Sequence, residues 1–296
     1  MLRFLAALLA AFTLSFPPVV AAQSLPDLLE VIEVTGEIND STAIQVQESV
    51  DRINNNAKVK AVLLVVDSPG GGVIATASTY QALTKLKPPV VGWCRGMCAS
   101  GGMYILMAPS VKFIAASDEA IAGSIGVVME NTRFNRLLDK LMVDNEVFKS
   151  GDLKTAGSRT QPMSDPERKY LQSLVNDFAE TFYAVVKRAR PGITDWKEIK
   201  SARVFIGDKA VRAGLIDEIM DKDKAIERAK KLSKSERIFT REELKKMSRA
   251  ADDRPAYSVP DMPVKMIADL PWLIDALKEL RSGETIRFSY KLLMRF

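Results

Sequence analysis

Ser100 lies in "MCASGGMY", between small residues and just ahead of an apolar run. Small neighbours let a backbone turn sharply and let a substrate approach, so this is a setting for a nucleophilic hydroxyl. The chain has 296 residues and no histidine. Ser-His-Asp catalysis within the chain is therefore excluded. The S-x-x-K spacing of penicillin-binding enzymes is absent at every serine. The remaining common base is lysine, which serves when burial lowers its pKa from about 10.4 toward about 7–8. Among 42 Lys and Arg residues, Lys154 in "KSGDLKTAGS" lies among small and hydroxyl residues. Periodicity does not single it out from solvated lysines. A plain N-cap is the competing reading of Ser100.

A second group of candidates precedes the serine. "SPGGG" at 68–72 follows an apolar run and opens a helical pattern. Consecutive glycines there leave backbone N–H groups free to hold a phosphate or an oxyanion. The G-x-x-x-x-G-K-[ST] pattern of a phosphate loop is missing, which leaves the oxyanion or a plain tight turn.

These turns need a scaffold. "LLEVIEVTGEI", "KAVLLVVDS", "VVGWC" and "VKFIAAS" read as strands, the second apolar enough to be buried on both faces of a parallel sheet. Helical patterns over "DSTAIQVQESVDRINN" and from Ile74 to Leu86 alternate with them. That alternation predicts an α/β architecture with mostly parallel strands. Both candidate turns would then lie at carboxyl ends of strands and share one crevice. Further on, Ser164 and Glu167 form a capping box for a long helix with Leu171, Leu174, Val175, Phe178, Phe182 and Val185 on one face. "ARVFIGDKAVRAGLIDEI" reads as a strand, a turn and a short helix. Beyond about Ser235 the pattern weakens into "DDRPAYSVPDMPVK", a linker, and "LPWLIDALKEL", a short amphipathic helix.

Composition is that of a folded protein, 47% hydrophobic and 27% charged, with a net charge of +5. The basic run "KDKAIERAKKLSKSERIFTREELKKMSR" lacks interleaved aromatics and reads as a solvated helix face, so no nucleic-acid partner is expected. "MLRFLAALLAAFTLSFPPVVAAQS" has an early positive charge, an apolar run, a proline break and small residues ending at Ala22. That is the layout of a secretory signal peptide, or of an uncleaved anchor. Cys94 and Cys98 are the only cysteines. Two thiols without histidine do not make a zinc site, and no metal or other cofactor is expected. A pair of small buried thiols is the first expectation, with a disulfide open to an oxidising compartment.

"DSPGGGV", "CASGGMY", "AGSIGVV", "SGDLKTAGS" and "RVFIGDKAVRAGLIDEI" stand in an order and spacing that resemble the signal peptide peptidase A family, peptidase family S49. The resemblance covers about residues 28 to 220. It implies a Clp protease/crotonase-like fold of repeated ββα units with helical C-terminal elements, usually assembled into homo-oligomeric rings. It further implies Ser100 as nucleophile, Lys154 as general base and Ser124 as the hydroxyl that orients the lysine. Gly70 or Gly71 would join Gly101 as the oxyanion hole. Met103 and Cys98 stand where that family often carries an aromatic residue and an alanine.

The domains expected are a signal peptide or anchor over 1–22, a peptidase domain over 23–235 and an extension over 236–296. The function expected is a serine endopeptidase that cuts apolar peptides, such as released signal peptides, through an acyl-enzyme. It would be exported, periplasmic or held at the inner membrane facing the periplasm. A regulatory or phage-type protease acting on one partner protein is the first alternative. A crotonase-like acyl-thioester binder or inactive scaffold is the second.

Overall fold

The computed structural model describes residues 26–252, and Asp27–Lys245 form one compact unit. The segment 1–22, the expected linker "DDRPAYSVPDMPVK" beyond its first residue and the helix expected in "LPWLIDALKEL" lie outside the described residues; that first residue, Asp252, ends a helix, Arg241–Asp252.

The strands are β1 (Asp27–Thr35), β2 (Val59–Ser68), β3 (Val90–Ala99), β4 (Val111–Ala116), β5 (Ile121–Gly123), β6 (Val204–Ile206), β7 (Glu218–Ile219) and β8 (Ile238–Thr240). Their order is β6-β5-β3-β2-β1-β8, with β4 also pairing β3 and β7. Every pairing is parallel except β5 with β6. The sheet includes β8, which lies past the expected boundary at 235, and the compact unit runs on to Lys245.

Alternation along β2 separates two apolar layers. Val62, Leu64 and Val66 pack on one face with Val46, Val50 and Ile53 of helix α1 (Asp40–Asn54) and with Ala75, Ala82 and Leu83 of α2 (Val73–Thr84). Ala61, Leu63 and Val65 face the other way, onto Ala225 and Ala229 of the helix Lys222–Ser233. All six β2 side chains are fully buried. That is why the strand reads as an unbroken apolar run.

The sheet forks at β3. Val90–Cys94 pair with β4, whereas Met97–Ala99 pair with β5. Between them the register to β2 jumps, Val66 facing Cys94 and Ser68 facing Cys98. Two extra residues are thus bulged out of β3. In a regular strand, residues four apart would have Cα atoms about 13 Å apart. Here Cys94 and Cys98 are 5.8 Å apart and disulfide-bonded. The expectation of two free thiols is corrected on this point, because the bulge brings the cysteines within bonding reach. Cys98 and Met103 are both fully buried, so the two departures from the resembling family are core residues.

Downstream of β5 the chain changes character. No residue between Ile125 and Glu167 is buried. This arm carries only a short helix α4 (Asn135–Lys140) and a 3-10 turn, Asp152–Thr155. It exposes Val128, Phe134, Leu141, Met142 and Phe148. The chain then enters α5 (Asp165–Ala189) through the expected Ser164–Glu167 capping box. Phe182, Val185 and Val186 bury the far end of α5 in the core, and Phe182 packs edge-on to Tyr104. The N-terminal half of its apolar face is not buried in the single chain, with Phe178 left exposed. No helix among the described residues is long and apolar enough to cross a membrane.

Candidate active site

Ser100 immediately follows β3 and precedes helix α3 (Gly101–Leu106). Its backbone has φ 51° and ψ −120°, and its hydroxyl makes no capping bond. A side chain at positive φ costs on the order of 1–3 kcal/mol, so a serine doing nothing but capping would be an expensive choice. Its N–H donates to the carbonyl of Gly123 at 2.9 Å. Ala99 pairs with Gly123 across β3 and β5, which brings Ser124 to the end of the neighbouring strand. Ser124 also has positive φ, 52°. Both serines are half-buried, and neither hydroxyl has a hydrogen-bond partner among the described residues.

The glycine turn reaches the same place. Gly70 has φ +105°, and a Cβ there would come within 2.7 Å of the Ser100 Cβ and 2.8 Å of the Gly101 nitrogen. Only glycine lets the turn lie this close to the serine. The Gly70 N–H donates to Ser68 Oγ at 3.1 Å, and Ser68 is fully buried. Ile38 pins the turn from the other side: its N–H donates to Gly70 O at 2.8 Å, and its carbonyl accepts from Gly72 N–H at 3.0 Å. The N–H groups of Gly71 and Gly101 remain without an acceptor among the described residues. Gly101 also begins α3, where the first N–H groups of a helix lack intrahelical partners.

Lys154 sits on the 3-10 turn in the exposed arm. No hydrogen bond or ion pair joins it to Ser100 or Ser124 in the single chain. The burial expected for a neutral lysine is therefore not present in this chain alone. The structure brings Ser100, Ser124, Gly70, Gly71 and Gly101 together at the carboxyl ends of β2, β3 and β5, and Lys154 stands apart on the arm.

Several contacts, at the cluster and on the arm, were not singled out from sequence. Asp67 accepts from the Met97 N–H at 2.9 Å and from Arg95 Nε at 3.1 Å, tying the end of β2 to the bulge of β3. The Thr76 hydroxyl is buried without a partner, and a Cβ on Gly101 would meet it at 2.5 Å. Glu167 is buried and accepts from Thr155 Oγ1 at 3.0 Å. Asp67 and Thr155 lie inside the motifs that carry the resemblance, but Arg95, Met97 and Glu167 are 12 or more residues from them and leave no local signal.

The chain matches the model of peptidase family S49 over residues 82–236 and that of Clp protease over residues 24–120. It is 35% identical over 213 residues to the "Putative signal peptide peptidase SppA" of Enterococcus faecium, covering 69% of this chain and 61% of that protein. It is 34% identical over 187 residues to the "Putative protease MJ0651" of Methanocaldococcus jannaschii, covering 62% and 60%. Identity to Protease 4 of Haemophilus influenzae is 27% over 220 residues, 71% of this chain and 35% of that protein. The chain thus spans about three fifths of the first two relatives and a third of the last. The fold is the α/β, mostly parallel architecture of the Clp protease type. The S49 match runs from within α2 to just before β8 and takes in the serine turn, the β5 end and the lysine arm alike; on that match, the chain belongs to peptidase family S49.

Proposed function

We propose that this chain is a serine endopeptidase working through Ser100 and Lys154 on apolar peptides such as released signal peptides. The observation that carries the reading is the Ser100 hydroxyl, held on a positive-φ turn, free of any cap, beside the unpaired Gly101 N–H and against the glycine turn at Gly70. Neutral Lys154 takes the Ser100 proton as Oγ adds to the scissile carbonyl. The oxyanion of the tetrahedral intermediate accepts hydrogen bonds from Gly71 and Gly101, Gly70 being engaged by Ser68. Lys154 then protonates the leaving amine, and the acyl-enzyme is hydrolysed when water attacks with the same amine as base. Ser124 accepts from or donates to that amine and holds it toward Ser100.

Lys154 is exposed in the single chain, and the mechanism requires it to be desolvated. Packing of the apolar arm against another copy in a closed homo-oligomer supplies that burial. The name of the Enterococcus relative supports the substrate class. The Cys94–Cys98 disulfide supports an exported location, facing the periplasm or held at the membrane, since such bonds persist in oxidising compartments.

Incubation of the purified protein with a mixture of signal peptides, with products read by mass spectrometry, tests the reading. Cleavage within apolar segments that disappears in Ser100→Ala is the expected result. Equal cleavage by both proteins overturns it.

A further inference from the structure

The 3-10 turn Asp152–Thr155 has no buried residue, and neither does the arm on either side of it. Apolar packing therefore does not fix Lys154 within this chain. Polar anchors must do so. Thr155, the residue after Lys154, donates its hydroxyl to Glu167 Oε1 at 3.0 Å and accepts from Lys149 Nζ at 3.3 Å. Lys149 also donates to the carbonyl of Asp152 at 3.0 Å, closing the turn on itself. Asn131 Nδ2 donates to Gly157 O at 2.6 Å just beyond it.

Glu167 is the buried member of this set, 6% exposed. Its other oxygen accepts from the Ser164 N–H at 2.8 Å and the Ser164 hydroxyl at 2.9 Å. A glutamate serving only as the N3 residue of a capping box needs the N-cap N–H alone. This carboxylate has a second oxygen aimed at the lysine turn. It also stands on the first turn of a 25-residue helix whose far end is locked in the core by Phe182, Val185 and Val186. The helix α5 is thus a rigid strut, about 37 Å long, with its buried end near α3 and its free end holding the lysine turn.

We propose that Glu167 is a positioning residue, acting through Thr155 to hold the turn that carries Lys154 at the height where its amine meets Ser100. The inference rests on the assignment of Lys154 as base. Its structural half, the anchoring, stands without it.

The test is a pair of Thr155 substitutions, which leave the Ser164–Glu167 capping box in place. Thr155→Val keeps the shape and removes the hydroxyl; Thr155→Ser restores it. Amide hydrogen exchange reads the anchor: Thr155→Val should speed exchange over residues 152–157 at least tenfold, with α5 unchanged, and Thr155→Ser should match the wild type. Peptide cleavage reads the consequence: Thr155→Val should lower kcat about ten- to a hundredfold with KM within about twofold, and Thr155→Ser should recover most of it. Unchanged exchange in Thr155→Val overturns the anchor. Faster exchange with wild-type kcat overturns its role in catalysis. Cleavage that survives Ser100→Ala would instead count against the peptidase assignment, and the exchange result would still decide the anchor.

Discussion

Ser100 and Ser124 leave adjacent parallel strands one residue beyond the cross-strand pair Ala99–Gly123, and both do so at positive φ, 51° and 52°. The Ser100 N–H closes the arrangement by donating to Gly123 O. Two serines in the same uncommon conformation, side by side and with free hydroxyls, form a rigid pair whose separation is set by the strand spacing. Neither strand can shift without breaking the pairing of β3 with β5, so the pair is preorganised by the sheet rather than by its own side chains.

The first prediction concerns strain at Ser100. Ser100→Ala and Ser100→Gly should both lose cleavage and fluorophosphonate labelling. They should differ in stability. Alanine keeps the cost of a Cβ at positive φ, whereas glycine removes on the order of 1–3 kcal/mol of strain and returns up to about 1 kcal/mol of unfolded-state entropy. Ser100→Gly is therefore expected to melt about 2–4 °C above Ser100→Ala. Calorimetry checks this, and equal melting temperatures would remove strain from the account of the turn.

The second prediction separates Ser124 from Ser100. If Ser124 holds the Lys154 amine as proposed, loss of that one hydrogen bond is worth about 1.5–3 kcal/mol, which is roughly ten- to a hundredfold in rate. Ser124→Ala should fall in kcat by that amount and still label at Ser100, more slowly. Complete loss of labelling would make Ser124 part of the nucleophile's own site instead.

The third concerns the oxyanion turn. Ser68→Ala leaves the buried Gly70 N–H without its acceptor, and the turn is free to rotate that N–H toward Gly71's place. Turnover should fall about tenfold, and a peptide boronate, which mimics the tetrahedral state, should bind more weakly by a similar factor. Unaltered boronate affinity would mean that Ser68 stabilises the fold and does not shape the hole.

Much of this was readable in the sequence. The unbroken apolar run of β2, the Ser164–Glu167 capping box and the helix after Ser100 all follow from local pattern, and each is present. What local pattern could not supply is contact between distant segments. The bulge that bonds Cys94 to Cys98 exists because β3 must change partners from β4 to β5. β8 joins the sheet with three residues, too few for a periodic signal. Glu167 was legible as a cap but not as a clamp on Thr155. Lys154 was identified by family resemblance, and nothing in the single chain buries it.

The fourth prediction is a pH effect at Glu167. Hydrogen bonds from the Ser164 backbone and hydroxyl and from Thr155, with Lys149 nearby, hold its carboxyl below the usual glutamate range. A depressed folded pKa means that the stabilisation is complete above the unfolded value of about 4.3 and is lost as the pH falls through the folded one. Glu167→Gln does not titrate there. Its melting temperature should lie below that of the wild type at neutral pH, and the gap should close as the pH drops below about 4. A gap that stays constant on acidification would show that the amide fails for steric reasons and not for charge.

The last prediction joins Lys154 to the exposed arm. The proposed mechanism needs a neutral Lys154 to accept the Ser100 proton, yet in the single chain Lys154 is exposed. The same arm leaves Met142 91% and Phe148 87% exposed, a cost that burial against a second copy would offset at about 25 cal/mol per Å². If one event covers the apolar residues and desolvates the lysine, assembly and activity must rise together. Specific activity should increase with protein concentration across the range where light scattering records association. Met142→Asp with Phe148→Asp should give a folded, dissociated chain with little cleavage, although neither residue is assigned a place in the chemistry. Lys154→Arg should be as inactive as Lys154→Ala, because guanidinium stays protonated at any working pH. A fully active monomer would remove assembly as the source of desolvation, and an active arginine variant would mean that residue 154 supplies charge and the proton leaves by another route.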